Sequence, residues 1–192
     1  MPINRLVIKE EVATYADVLF EAVRSDGGLD RVLNVRNQME QILTIIHADM
    51  NVSAALTDPD YSDEQRYELI KGTFGEADPA LVEVMAVMAS RDELALLARV
   101  YEAYNRLLAD KLNTAVVDVT TVVPLDDELR RIIIQKAETD LGYDVVLQEH
   151  IDKSILGGLI MSTNGKRIDA SVISQLNNAR IVLEETTDGG ES

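Results

Sequence analysis

Thr114-Ala115-Val116-Val117-Asp118-Val119-Thr120-Thr121-Val122-Val123-Pro124 is where the chain changes its period. Val and Thr crowd this run, the composition of a strand buried over most of its surface, and Pro124 closes it. Residues before it recur at the helical spacing of three and four; those after it alternate between short strands and helices. The fold class expected is therefore α+β: an N-terminal antiparallel bundle of five or six helices, then a small α/β domain with a short sheet and two helices. The period shift puts the domains at 1–112 and 113–183, with 184–192 an acidic disordered tail.

Upstream of the shift, Val12, Ala16, Leu19, Phe20 and Val23 line one face of a first helix that Gly27-Gly28 ends. Val32, Val35, Met39, Ile42 and Ile46 mark a second, from about Leu29 to Met50. Ser62 and Gln65 read as a capping box opening a third helix that stops at Gly75. Asp78-Pro79 supplies an N-cap and a first-turn proline for a fourth, through Val82, Met85 and Met88. Ser90 and Glu93 read as a second capping box, starting a helix with Leu94, Leu97, Tyr101, Tyr104, Leu108 and Leu112 on one side.

Downstream, Asp126, Asp127 and Glu128 load the positive end of a helix whose Leu129, Ile132, Ile133, Ala137 and Leu141 are expected to face inward, with Gly142 as its stop. Strands follow at about Asp144 to His150, Leu156 to Ser162 and Lys166 to Ile168, the last two joined by an Asn164-Gly165 hairpin turn. A final helix is expected from Asp169, with Val172, Leu176, Ala179 and Leu183 on one face.

Composition narrows the function classes. Thirty-four acidic against eighteen basic residues leave a net charge of -16. The acidity is shared: 11 Lys/Arg against 20 Asp/Glu in residues 1–112, and 7 against 14 in residues 113–192. Such a surface repels nucleic acid and anionic membrane, and attracts partners that bring Lys or Arg. No Cys is present, which excludes disulfide scaffolds, thiol nucleophiles and Cys-ligated zinc. The longest apolar-rich run, Leu81 to Ala89, is interrupted by Glu83 and falls far short of the ~20 residues of a membrane span, so no direct membrane insertion is expected.

No cofactor or catalytic motif emerges. Gly165-Lys166 is no phosphate loop, because Ile160 stands where that loop needs Gly and Arg167 where it needs Ser or Thr. Gly157-Gly158 opens a strand rather than joining strand to helix, so a bulge or close packing explains it better than a dinucleotide site. His47 and His150 fall in different expected domains. Carboxylates at 126–128 are what a helix dipole favours in its first turn. Asn51-Val52-Ser53 fits a glycosylation acceptor only formally. Met85 and Met88 stay open between core filling and an adaptable groove that receives a partner helix.

Three stretches in order carry a family resemblance. Ala13-Thr14-Tyr15-Ala16-Asp17-Val18-Leu19-Phe20-Glu21, Val119-Thr120-Thr121-Val122-Val123-Pro124-Leu125, and the closing Asp152, Ser154, Gly157-Gly158 with Ile168-Asp169-Ala170-Ser171-Val172 resemble the delta subunit of F-type ATP synthases, related to the mitochondrial oligomycin-sensitivity-conferring protein. Lys153 replaces the family's usual Pro, Lys166 its Asp, Val122 its Ala and Ala170 its Gly. The resemblance implies a non-catalytic stator subunit without cofactors, peripheral on the cytoplasmic face of a bacterial plasma membrane. It implies that the helical domain receives the N-terminal helix of an alpha subunit, in a groove between the helices near residues 11–24 and 79–90. Tyr15, Leu19, Met85 and Met88 are the residues expected there. The α/β domain would hold the b subunits of the peripheral stalk, with a modest hinge near residues 110–114. The competing reading is a helical adaptor outside energy metabolism.

Overall fold

A computed structural model describes residues 5–48, 60–155, 157–163 and 166–171. The chain divides into two compact units, Met1–Leu112 and Asn113–Ser192.

In the first unit, α1 (Arg5–Ala48) is one helical run broken at Gly28, whose φ of 61° and ψ of -154° no side-chain-bearing residue adopts comfortably. Before the break Val12, Ala16, Leu19, Phe20 and Val23 are buried; after it Val32, Val35, Met39 and Ile42 are. The two helices expected from the sequence are thus the two arms of one kinked element. In α2 (Asp63–Phe74) the capping box forms as read: the Ser62 hydroxyl accepts the Gln65 N–H at 3.3 Å, and Gln65 Oε1 accepts the Ser62 N–H at 2.8 Å. Asp78 caps α3 (Pro79–Ser90), its Oδ1 accepting the Ala80 N–H at 2.9 Å.

The second capping box does not form. Ser90 belongs to the last turn of α3 and donates its hydroxyl to the Val87 carbonyl, while Asp92 takes a φ of 60° and a 3-10 turn (Leu94–Leu96) leads into α4 (Leu97–Leu112). Glu93 instead accepts the Tyr15 hydroxyl from 78 residues away at 2.5 Å. On α4 the buried line is Leu97, Val100, Tyr104 and Leu108, with Tyr101 displaced to the flank. α4 packs mainly on α1, and α2 on α3. Phe20 and Tyr104 meet edge to face at 5.5 Å, and the buried Tyr104 hydroxyl donates to the Val32 carbonyl.

In the second unit, β1 (Thr114–Thr121), α5 (Asp127–Leu141) and β2 (Asp144–Ile151) form a crossover that returns β2 parallel to β1. β3 (Gly158–Thr163) pairs antiparallel with β1, and β4 (Lys166–Ser171) antiparallel with β3. The sheet order is β2-β1-β3-β4. Asp126 caps α5 by accepting the Leu129 N–H, and Gly142 ends it at a φ of 76°. Val117, Val119, Leu125 and Ile133 make the core, flanked by Ala137, Leu141, Val145, Leu147, Leu159 and Met161.

Three expectations need correction. Leu129 and Ile132 do not face inward: they are 38% and 52% exposed, because α5 meets the sheet along Ile133, Ala137 and Leu141. Asp169 does not start a helix, since Asp169, Ala170 and Ser171 continue β4 opposite Ile160, Leu159 and Gly158. β3 begins at Gly158 rather than Leu156, after Gly157 and Gly158 both take positive φ. The expected Asn164-Gly165 turn, the rest of the expected final helix (172–183) and the expected tail lie outside the described residues.

Candidate partner-binding surfaces

The helical unit is built around polar ties that fix where its apolar surfaces lie. Asp78 sits at the centre: Arg31 donates to its two carboxylate oxygens at 2.7 and 3.0 Å, and Gln38 Oε1 accepts its backbone N–H at 2.7 Å. Arg31 also reaches Asp26 across the Gly28 kink at 2.5 Å. The arm of α1 beyond the kink is thereby held to the start of α3. Burial pushes Asp78 up, and the Arg31 hydrogen bonds with the Ala80 N–H more than reverse this, holding the carboxyl below its usual range.

At the other end of α3, Tyr15 donates to Glu93 and accepts from Arg91 at 3.3 Å, so α1 is tied to the turn that follows α3. Burial and the Glu93 hydrogen bond raise the Tyr15 pKa, which keeps the phenol protonated as a donor. Arg36 is 3% exposed on the second arm of α1 and bonds Asn105 of α4 at 3.2 Å and Glu40 at 3.0 Å, its guanidinium 5.4 Å from the Tyr101 ring. Its place was readable from the sequence in principle: position 36 lies three and four residues from Met39 and Val32 on the apolar stripe. The partners on other helices were not.

Against this frame the four expected groove residues are all interior. Leu19, Met85 and Met88 have no exposed surface and Tyr15 is 8% exposed. Of the two readings left open for Met85 and Met88, the structure of the chain by itself puts both side chains in the core. What α1 and α3 present outward is different. On α1, Val7 and Val18 are exposed at positions sharing one helix face through Glu11 and Thr14. On α3, Ala80, Val84 and Val87 are half-buried at the same kind of spacing. The outward Val84 and Val87 thus leave apolar surface partly open on this helix.

The polar clusters weighed as catalysts have structural occupations. Asp126 caps α5, Asp127 pairs with Arg130 at 2.6 Å, and Arg130 also holds Glu149 at 2.7 Å, which lowers the Glu149 pKa. His47 is exposed in the last turn of α1, and His150 Nε2 lies 3.5 Å from Asp118 on the neighbouring strand.

A model of the ATP synthase delta (OSCP) subunit family matches residues 12–183, spanning both units. The chain belongs to that family. It is 28% identical over 165 residues to the ATP synthase subunit delta of Rhodopirellula baltica, a match covering 85% of this chain and 72% of the relative. The subunit delta of Clostridium perfringens strain SM101 is 25% identical over 171 residues, covering 88% and 93% of the two chains. A chain from the Toxoplasma gondii mitochondrial ATP synthase hexamer shares the fold with a TM-score of 0.53 at 18% identity, covering 90% of this chain and 96% of that one.

As an ATP synthase delta subunit, the chain is a non-catalytic stalk component of the F-type complex and works through contacts with other subunits of that assembly. Among the described residues no helix is long and apolar enough to cross a membrane.

Proposed function

We infer that this delta-family subunit is a brace. Its helical unit grips the N-terminal helix of an alpha subunit at the catalytic head, and its α/β unit grips the b subunits of the peripheral stalk, on the cytoplasmic face of a bacterial membrane. A rotary machine needs its head held against the torque of the rotor, and that demands two firm attachments rather than chemistry. Two moderate interfaces joined in one chain hold more firmly than either alone.

The observation that supports this most is a family match running through both units together with a helix, α3, whose outward Val84 and Val87 remain half-open. An alpha-subunit helix laid between α1 and α3 would rest its apolar face on Val18, Val84 and Val87. Tyr15, Leu19, Met85 and Met88 form the layer beneath, shaping the groove and touching the partner only where the helices part. The adaptor reading leaves the family match without a cause.

Calorimetric titration of the full chain with a peptide of the alpha-subunit N-terminus tests the first grip. Binding in the micromolar range is expected, and paired V18E and V84E substitutions should weaken it at least about tenfold with the helical circular dichroism unchanged. No heat with the unsubstituted chain would remove the head from the proposal. Co-purification of b subunits with the tagged chain tests the second grip.

A further inference from the structure

We propose that Tyr15 is a positioning residue for the alpha-subunit groove: its hydroxyl, shared between Glu93 and Arg91, fixes the spacing of α1 and α3 against which the partner helix is received. The proposal rests on an alpha-subunit helix being the occupant of that groove. α1 packs less extensively on α3 than on α4, and the buried face of α3 carries Met85 and Met88. Apolar contact is non-directional and methionine adapts its shape, so neither holds two helices at one separation. A hydrogen bond does, because its length is confined to a narrow range.

Tyr15 supplies that bond from the first arm of α1. Its side chain is interior, and its hydroxyl donates to Glu93 at 2.5 Å and accepts from Arg91 at 3.3 Å. The turn that receives it is itself joined to α3: the Glu93 N–H donates to the Met88 carbonyl at 2.8 Å, and the Asp92 N–H to the Ala89 carbonyl at 3.0 Å. Asp92 takes a φ of 60°, and its carboxylate meets Arg66 of α2 at 3.3 Å. Arg91 and Glu93 thus hold α1 while Asp92, between them, holds α2.

The link stands beside the outward apolar residues. Tyr15 and Val18 share one turn of α1, and Val87 lies one turn before Arg91. A changed separation at the hydroxyl is therefore passed directly to Val18 and Val87, on which the partner helix would rest. The tie between Arg31 and Asp78 acts beyond Gly28, on the second arm of α1, and leaves the spacing at Val18 to Tyr15. Without the hydroxyl the groove would have to be set at the moment of binding, and ordering at that moment costs affinity.

Calorimetric titration of the full chain with the alpha-subunit N-terminal peptide tests this with two variants. Y15F keeps the ring and drops the hydroxyl; E93Q keeps the length and drops the charge. Each should weaken peptide binding by about five- to tenfold. The double variant should lose little more than the larger single loss, because the two groups act as a unit. V100A, in the buried face of α4, is the control: it lowers the thermal midpoint without touching the link, and should bind the peptide within about twofold of the unsubstituted chain. Unchanged binding by Y15F, independent addition of the two losses, or an equal loss in V100A would each overturn the positioning role while leaving the groove as the binding site. No heat with the unsubstituted chain would instead remove the groove as the alpha-subunit site, and the role of Tyr15 with it.

Discussion

Asp78 shows how much one carboxylate settles in this chain. Its carboxylate accepts the Ala80 N–H at the start of α3 and anchors Arg31, while its backbone N–H donates to Gln38 of α1. Its folded pKa is depressed, so its contribution is complete above the unfolded value of about 3.9 and is lost as pH falls through the lower folded value. Asp78→Asn should therefore cost about 1–2 kcal/mol at neutral pH, and the gap to the unsubstituted protein should close in strong acid; urea midpoints at the two pH values measure it. The cap was legible because Asp78 and Ala80 are two residues apart. Arg31 is not legible there, since nothing local tells which of the chain's cations will arrive from 47 positions away. Glu93 was misread for the same reason: Tyr15 captured the carboxylate that local spacing assigned to a cap.

Among the elements, α1 depends on a backbone geometry at Gly28 that only glycine occupies readily. A Cβ there meets no atom within 4 Å, so the cost of Gly28→Ala is conformational alone: about 1–3 kcal/mol. Gly72 on the exposed side of α2 also has free space but ordinary helical φ. Gly72→Ala should stabilise by about 0.5–1 kcal/mol, and thermal unfolding of the two variants should move in opposite directions. Periodicity revealed α1, α2, α3 and β1, because each carries its pattern within itself. It failed at β4, where Asp169, Ala170 and Ser171 have no strong strand character and extend the strand only by pairing with β3. It failed too on α5, where Leu129 and Ile132 share the apolar periodicity of the inward residues yet remain exposed.

For the molecule as a whole, the charge of -16 is spread over both units and matters for association rather than folding. Binding of the alpha-subunit peptide should slow as ionic strength rises from about 0.05 to 0.5 M, with the off-rate changing less; stopped-flow measurement separates the two. The outward face of α3 shows why a chain's partners are harder to read than its elements: an apolar stripe announces that it will be covered, not by what. The boundary of the two units falls between Leu112 and Asn113. α4 ends at Leu112, β1 starts at Thr114, and Asn113 between them has its carbonyl accepting the Asp144 N–H at 2.9 Å. A molecule stretched by its ends in an optical trap would find almost no slack at this joint, about 3.5 Å of contour. Pulled apart, the joint could lengthen by no more than about that distance before the last turn of α4 or the pairing of β1 had to give.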